Sequence, residues 1–517
     1  MNPEEFVPNA WKEEAAHKSY VDSFLHVRPA PEYASGEVVL ASVYRNVGFS
    51  PKVTESKVPV HGRDFLKRIE REQPRKADDK KNAMGIDTWR GIVTGSLRSP
   101  KQPNQAAKRF LQICPIVPDA AIYSLSARLS SNSWNPGQLV GRTIAFGETS
   151  EQRAYDIWLD LFHKLSVNDD DDIWARFLQE EFAHWRRPDL MDEWSRPDSL
   201  PCHDSILRWH KDPVSIPASQ FAQDVKSVLA LKKLLTRRQW ISMVESVFRL
   251  GTASHVLWLC RANAECLQLM EAVLRGELVP TREEVVSRLG MGTPFWRYGQ
   301  VATRAIKELA RDFVVARAGI NLVLLHCQEL ADQAQYRIPE SPLSNIGSIV
   351  EFLEFLASIR SVFPLERFQD NLRSAIEADP RVVACRRGIS SNISEFLRHV
   401  LGQRQTSEPG MESYDQGYYL RKRGNYASAP WVVSLSPVAV LMLVHCCTHK
   451  ARGPRTVEDF CRHLAQYGVE VRAQDVTRID LGQTLRNLGL VLDSPDAEGG
   501  MVLVSPFKAL LNGVEDE

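Results

Sequence analysis

The sequence predicts a mainly α protein: a multi-helix body with a C-terminal unit of three helices and a β-hairpin. Three observations predict it. Apolar residues recur at three- and four-residue spacing through most of 218–402, as one helix face requires. Strand signals, runs of β-branched residues bounded by turn residues, are clear only near the C-terminus. Helix N-cap residues, Ser436 and Thr456, punctuate the last hundred residues.

The 517 residues carry 64 basic and 64 acidic side chains, so any basic surface has to be local. At roughly 100–200 residues per domain, three or four domains are expected. A hydrophobic fraction of 44% supplies a sizeable core. Nine cysteines are scattered without a CxxC pair, which reads as reduced thiols and a cytoplasmic protein. The N-terminus is acidic and lacks the apolar run of a signal peptide. No stretch reaches 18 uninterrupted apolar residues, so no membrane association is expected.

Residues 1–110 form a mixed, basic, partly irregular region. EVVLASVYRNVGF reads as a short strand or a loop. Residues 63–109 hold thirteen Lys or Arg and six acids, about +7, the only long basic stretch. Its basic residues Arg63, Lys67, Arg68, Arg71, Arg75, Lys76, Lys80 and Lys81 are candidate phosphate contacts, weighed against an ordinary solvated helix and linker. Trp89 beside Arg90 is a candidate stacking pair.

Residues 111–217 read as a helical domain ending in a Pro-rich connection. EQRAYDIWLDLFHKL places Tyr155, Trp158, Leu159 and Phe162 on one face. DDDDIWARFLQEEFAHW starts with acids, where the helix dipole favours them. Residues 218–402 read as the multi-helix body, with a capping box, TREE, starting at Thr281. No fixed internal repeat is found. The polar run 403–417 reads as a linker.

Residues 418–517 carry the most legible pattern. Ser436 and Pro437 open a helix, and Thr456 opens the next, closed by Gly468, with Val457, Phe460 and Leu464 as its apolar stripe. A third helix is expected over about Asp475–Asn487, stopped by Gly489, with Val476, Ile479, Leu481, Leu485 and Leu488 apolar. LVL and MVLV then flank DSPDAEGG as a hairpin. Helix, helix, helix, hairpin is the order of a winged helix.

In a nucleic-acid-reading winged helix the third helix enters the major groove. Gln474, Thr477, Arg478, Gln483, Thr484 and Arg486 are its expected exposed residues, of types that read bases. Asp475 and Asp480 oppose the two arginines. The hairpin tip carries Asp493, Asp496 and Glu498, which repel phosphate. Lys450, Arg452 and Arg455 between the first two helices, and Arg421, Lys422 and Arg423 ahead of the domain, are the local cations. DNA or a protein partner is thus equally compatible.

Other constellations favour ordinary structural roles. HCCTH sets His445 and His449 four apart on one helix face, with Cys461 and His463 on the next helix, but the general-base Glu of HExxH is missing. A core helix is the expected explanation. Glu180 with His184 reads as a surface pair, and Glu308 with His326 as structural. Cys202, His203, Asp204 and His210 hold the residue types of a triad, yet a triad is assembled in space and not by adjacency. There is no phosphate-binding GxxxxGKS/T, no GxGxxG between strand and helix, and no GxSxG. No catalytic residue, metal or cofactor is assigned.

The run YYLRKRGNYASAPWVVSLSPVAVLMLVHCC, then TVEDFCRHLAQYGVEV and LRNLGLVLDSPDAEGGMVLVSPF, resembles the winged-helix tails of large bacterial proteins that accompany ATPases and helicases in anti-phage defence systems. The likeness covers about a fifth of the chain and departs from DNA readers in its acidic hairpin tip. It implies a non-catalytic, nucleic-acid-associated subunit of a multi-gene system, with DNA and an ATPase or helicase as partners. The alternatives are a protein-interaction scaffold and a metal-dependent hydrolase.

Overall fold

The computed structural model describes residues 1–27, 35–50, 84–97, 99, 114–121, 135–185, 189, 191–201, 214–334, 336–403, 415, 417–424, 426, 429–492 and 501–507. It is mainly helical. In chain order the longer helices of the body are α1 (Gly36–Gly48), α2 (Ile86–Leu97), α3 (Pro136–Gly147), α4 (Glu151–Leu165), α5 (Ile173–Ala183), α6 (Pro217–Leu229), α7 (Arg237–Leu274) and α8 (Arg282–Leu289). A two-residue strand β1 (Trp296–Arg297) precedes α9 (Ala302–Ala334), α10 (Ile346–Ile359), α11 (Leu365–Ala378) and α12 (Gly388–Leu401). Then come β2 (Leu420–Lys422), β3 (Trp431–Val433), α13 (Pro437–Thr448), α14 (Val457–Gln466), β4 (Val469–Glu470), α15 (Ala473–Val476), α16 (Asp480–Asn487), β5 (Val491–Leu492) and β6 (Val502–Leu503).

Two long helices form the spine. α7 runs 38 residues and packs along the 33-residue α9. Neighbours surround the middle of α7; from Val244 to Cys260 every residue is buried, the ion-paired Glu245 and Arg249 included. Its Gly251 meets α6 so closely that a Cβ there would sit 2.0 Å from Phe221 Cδ2. α9 contains the one described helix long and apolar enough to cross a membrane, Ala302–Gln333, and 78% of its apolar window is buried inside the protein.

One continuous apolar core runs from Phe6 to Leu503 and includes side chains of the body and of α13–α16 alike. A smaller second core joins α2 to α5 through Trp89, Val93, Leu178, Phe182 and Trp185. Trp89 is therefore fully buried, 6.1 Å from Trp185, and is not a base-stacking platform.

Several local expectations needed tertiary context. EVVLASVYRNVGF forms α1, N-capped by Ser35, which accepts from Val38 N. Twelve of its residues are buried, and period alone does not separate a fully buried helix from a strand. In α4 the most buried stripe is Ala154, Ile157, Trp158, Leu161 and Leu165, rotated from the expected face. Tyr155 and Phe162 cover the flank, against the Pro197 carbonyl and the Trp194 ring.

The caps at Thr281, Ser436 and Thr456 form as expected. The expected third C-terminal helix is broken into α15 and α16. Val476 and Leu481 are five positions apart, about 140° out of phase on one helix. The break at Thr477–Ile479 rephases the chain, so Val476, Leu481 and Leu485 are all buried.

The C-terminal elements are welded to the body. β4 pairs in parallel with β1, Trp296 opposite Val469. Phe295 N donates to Gly468 O at 2.8 Å, and Gly299 N to Val433 O at 2.9 Å. Gly468 holds φ +78°, and a Cβ there would lie 2.2 Å from Phe295. Under this junction Asp224 of α6, 1% exposed, accepts from His463 Nε2 at 2.9 Å and Tyr467 OH at 2.7 Å. Burial and the neighbouring Asp224 push the Tyr467 phenol well above its ordinary range.

Candidate nucleic-acid interface

α16 forms because Leu481 and Leu485 share one buried face, leaving the opposite face to solvent. Its outer side presents Gln483, Arg486 and Asn487; Gln483 Nε2 donates to Asn487 Oδ1 at 2.7 Å. Thr484 is half-buried and bonds back to Asp480 O at 2.9 Å, so it is turned along the helix. Gln474, Thr477 and Arg478, around the break, are exposed, and Arg478 has no ion-pair partner among the described residues.

Asp480 starts α16, where the helix dipole favours a carboxylate. It accepts from Tyr298 OH of the body at 2.9 Å, and Arg421 Nη2 of β2 stands 4.0 Å from its other oxygen. Burial first, then the adjacent Asp480, raise the Tyr298 phenol above its ordinary value, so it remains a hydrogen-bond donor. Arg421 is thereby brought to the start of α16 across a sequence gap of about sixty residues. Lys422 stands 5.5 Å over the Trp431 ring.

Arg486 sits in the last turn of α16, and the backbone of Arg455 is held against the hairpin that follows it. Arg486 Nη2 lies 3.8 Å from Met501 Sδ, at the entry to β6. Val457 N donates to Met501 O at 3.0 Å, and Leu503 N to Arg455 O at 2.7 Å, which fixes the α13–α14 connection against the hairpin. Lys450, held at φ +56°, and Arg452 are exposed without ion-pair partners among the described residues. Arg455 is partly spent: its Nη1 lies 3.6 Å from Asp459. Asp459 is held below the usual carboxylate range, first by the backbone N–H of Thr456.

The remaining candidates separate. Arg63, Lys67, Arg68, Arg71, Arg75, Lys76, Lys80 and Lys81 lie outside the described residues, as do Cys202, His203, Asp204, His210, Asp493, Asp496 and Glu498. His445 is fully buried, with Nε2 3.0 Å from Ser227 O, and burial pushes its imidazole down to about 4. His463 is taken by Asp224. Among the described residues no three His, Cys, Asp or Glu side chains converge as a metal ion requires. Glu180 and His184 are exposed on α5 and at its end. Glu308 pairs with Arg304 at 2.8 Å, while His326, buried, lies five turns further along α9.

No protein-family model matches the chain, and no curated protein matches it. Sequence reasoning missed Tyr298 and the β2–β3 hairpin. The hairpin had a signal, two short runs, LRK and WVV, around Gly424. Tyr298 had none, because its role exists only across the body–C-terminal junction.

Proposed function

We propose that the C-terminal region is a winged-helix module that presents α16 to duplex nucleic acid, and that the chain is a non-catalytic subunit of a bacterial multiprotein system of the genome-defence type. One observation carries the reading: the exposed face of α16, with Gln483 and Arg486, has the polar and basic types that read a groove. The order of elements supports it. Thr456 bridges Val502 antiparallel, so the start of α14 lies against the β5–β6 hairpin. With β4 and α15 set between α14 and α16, the elements α13, α14, α16, β5 and β6 keep the helix, helix, helix, hairpin order of that module. An ATPase or helicase is the proposed partner for the α1–α12 body, on the resemblance of the tail.

Fluorescence anisotropy with a labelled duplex tests the proposal. With about four phosphate contacts, affinity drops roughly a hundredfold between ~50 and ~200 mM salt. Arg478→Glu with Arg486→Glu weakens binding further at either salt. No binding at the lower salt sinks the reading.

A second reading has a protein partner on the same surface. It is favoured by Leu488, 38% exposed, and Leu492, 64% exposed, beside Arg486. It predicts no salt-dependent duplex binding.

A further inference from the structure

We propose that the β2–β3 hairpin, and not the β5–β6 hairpin, supplies the phosphate contact beside α16, and that α16, flanked by cations at both ends, enters the major groove of B-form DNA. The proposal rests on the nucleic-acid reading above and adds residues and a partner class to it.

Charge distinguishes the two hairpins. From Leu420 to Val433 the chain carries Arg421, Lys422 and Arg423 and no acid. The β5–β6 turn carries Asp493, Asp496 and Glu498 and no base. A polyanion favours the first and is repelled by the second.

The β2–β3 hairpin is also rigidly mounted. Leu420 pairs with Val433 and both are buried. Leu420 bridges Gly402 at the end of α12, and Val432 bridges Val301 at the start of α9. The turn closes with Arg423 N donating to Pro430 O at 2.9 Å and Ala429 N to Tyr426 O at 3.0 Å. Gly424 sits at φ +126°, a conformation that side chains rarely adopt, with the Tyr426 ring against it. Charges on such a mount lose little conformational freedom when they meet a ligand.

Its orientation follows from strand alternation. Lys422 turns toward Trp431. Arg421 and Arg423 share the other side, and both are exposed. Arg421 marks where that side points: its guanidinium is 4.0 Å from Asp480 at the first turn of α16. Arg478 lies at the same end. Arg486 lies at the other, where the hairpin after α16 also holds Arg455.

An α-helix with its side chains is about 10–12 Å across. The major groove of B-form DNA, about 12 Å wide with phosphates along both walls, admits it. In the proposed arrangement the cations at the two ends of α16 meet phosphate while Gln483 faces the base edges. The deep, narrow major groove of A-form RNA does not admit the helix. Asp480, in this arrangement, offsets part of the charge of Arg421 until phosphate takes its place.

The test uses the full chain and a labelled ~25-base-pair DNA duplex, titrated across salt, with an RNA duplex of the same sequence in parallel. Arg421→Gln with Arg423→Gln is expected to lower the slope of log affinity against log salt by about 2 and to weaken binding about tenfold at low salt, whatever the DNA sequence. Arg423→Gln alone, a side chain without a partner among the described residues, is expected to lower the slope by about 1 with an unchanged melting temperature. Wild-type slope and affinity in these variants, with loss in Arg478→Gln/Arg486→Gln, overturn the hairpin assignment and leave the parent reading standing. RNA bound as tightly as DNA overturns the B-form assignment. Wild-type protein that binds neither duplex at low salt overturns the parent reading itself and points to a protein ligand.

Discussion

At the scale of single residues, buried polar groups dominate the chemistry of the interior. His255 on α7 is fully buried between Phe146, 5.0 Å away, and Trp258, 5.6 Å away. Neither ring nitrogen has a hydrogen-bond partner among the described residues. Burial, then Arg142, push its imidazole well below the ordinary 6.5. Burial likewise brings His326 and His445 down to about 4. These side chains fold as neutral rings. Between about pH 6.5 and about pH 4 the unfolded chain binds more protons than the folded one, so stability is present above that window and is lost as pH falls through it. The upper bound is about 1.4 kcal/mol per pH unit per histidine. Urea unfolding is expected to show a lower midpoint at about pH 5 than at about pH 7; an identical midpoint contradicts neutral burial. Asp224 makes a second residue-scale prediction. Asp224→Ala strands His463 Nε2 and Tyr467 OH in the core, and a loss of about 3 kcal/mol is expected. Wild-type stability in that variant means the network is not holding the junction.

At the scale of elements, phase decides more than propensity. The stretch Asp475–Asn487 looks like one helix by propensity, yet its apolar residues do not share a face. The chain breaks at Thr477–Ile479 so that all three of Val476, Leu481 and Leu485 reach the core. The break also turns Arg478 outward at the start of α16. The β5–β6 hairpin pairs in the expected place, Val491 with Leu503 and Leu492 with Val502. Its acidic turn gives an element-scale prediction: Asp493→Lys, Asp496→Lys and Glu498→Lys together are expected not to weaken duplex binding, because the phosphate contacts proposed above lie on the β2–β3 hairpin and the α13–α14 connection. A large drop in affinity on charge reversal would place that turn on the DNA. Element identity was legible where a cap or a turn residue marked an end of an amphipathic stretch, as at Thr281, Ser436, Thr456 and Gly489. It was not legible in α1, where burial on all sides erases the pattern that tells helix from strand.

At the scale of the whole molecule, the C-terminal elements share their core with the body. Val440, Leu443 and Tyr467 are fully buried, and the β1–β4 pairing and Asp224 cross the junction. Any ligand on α16 is consequently held in a fixed orientation to α7 and α9. The full chain is expected to lose the body and the C-terminal region in one thermal transition. A fragment of residues 415–517 leaves those apolar side chains uncovered, and is expected to bind a hydrophobic dye and melt without a cooperative step. A fragment that melts as sharply as the full chain would show that the junction is dispensable for folding.

The sequence by itself determined what depends on neighbours within a few residues. Caps, glycine stops and the apolar stripe of α14 are set by local hydrogen bonding and by period. It also determined the charge contrast between the two hairpins, because composition is local. The tertiary structure alone decided which charges meet. Arg421, Tyr298 and Asp480 come from three separate stretches and converge because the β2–β3 hairpin, the segment after β1 and α16 pack at one junction. Burial, a property of the assembled core, took Trp89 from solvent and made His445 a neutral core side chain bonded to Ser227 O.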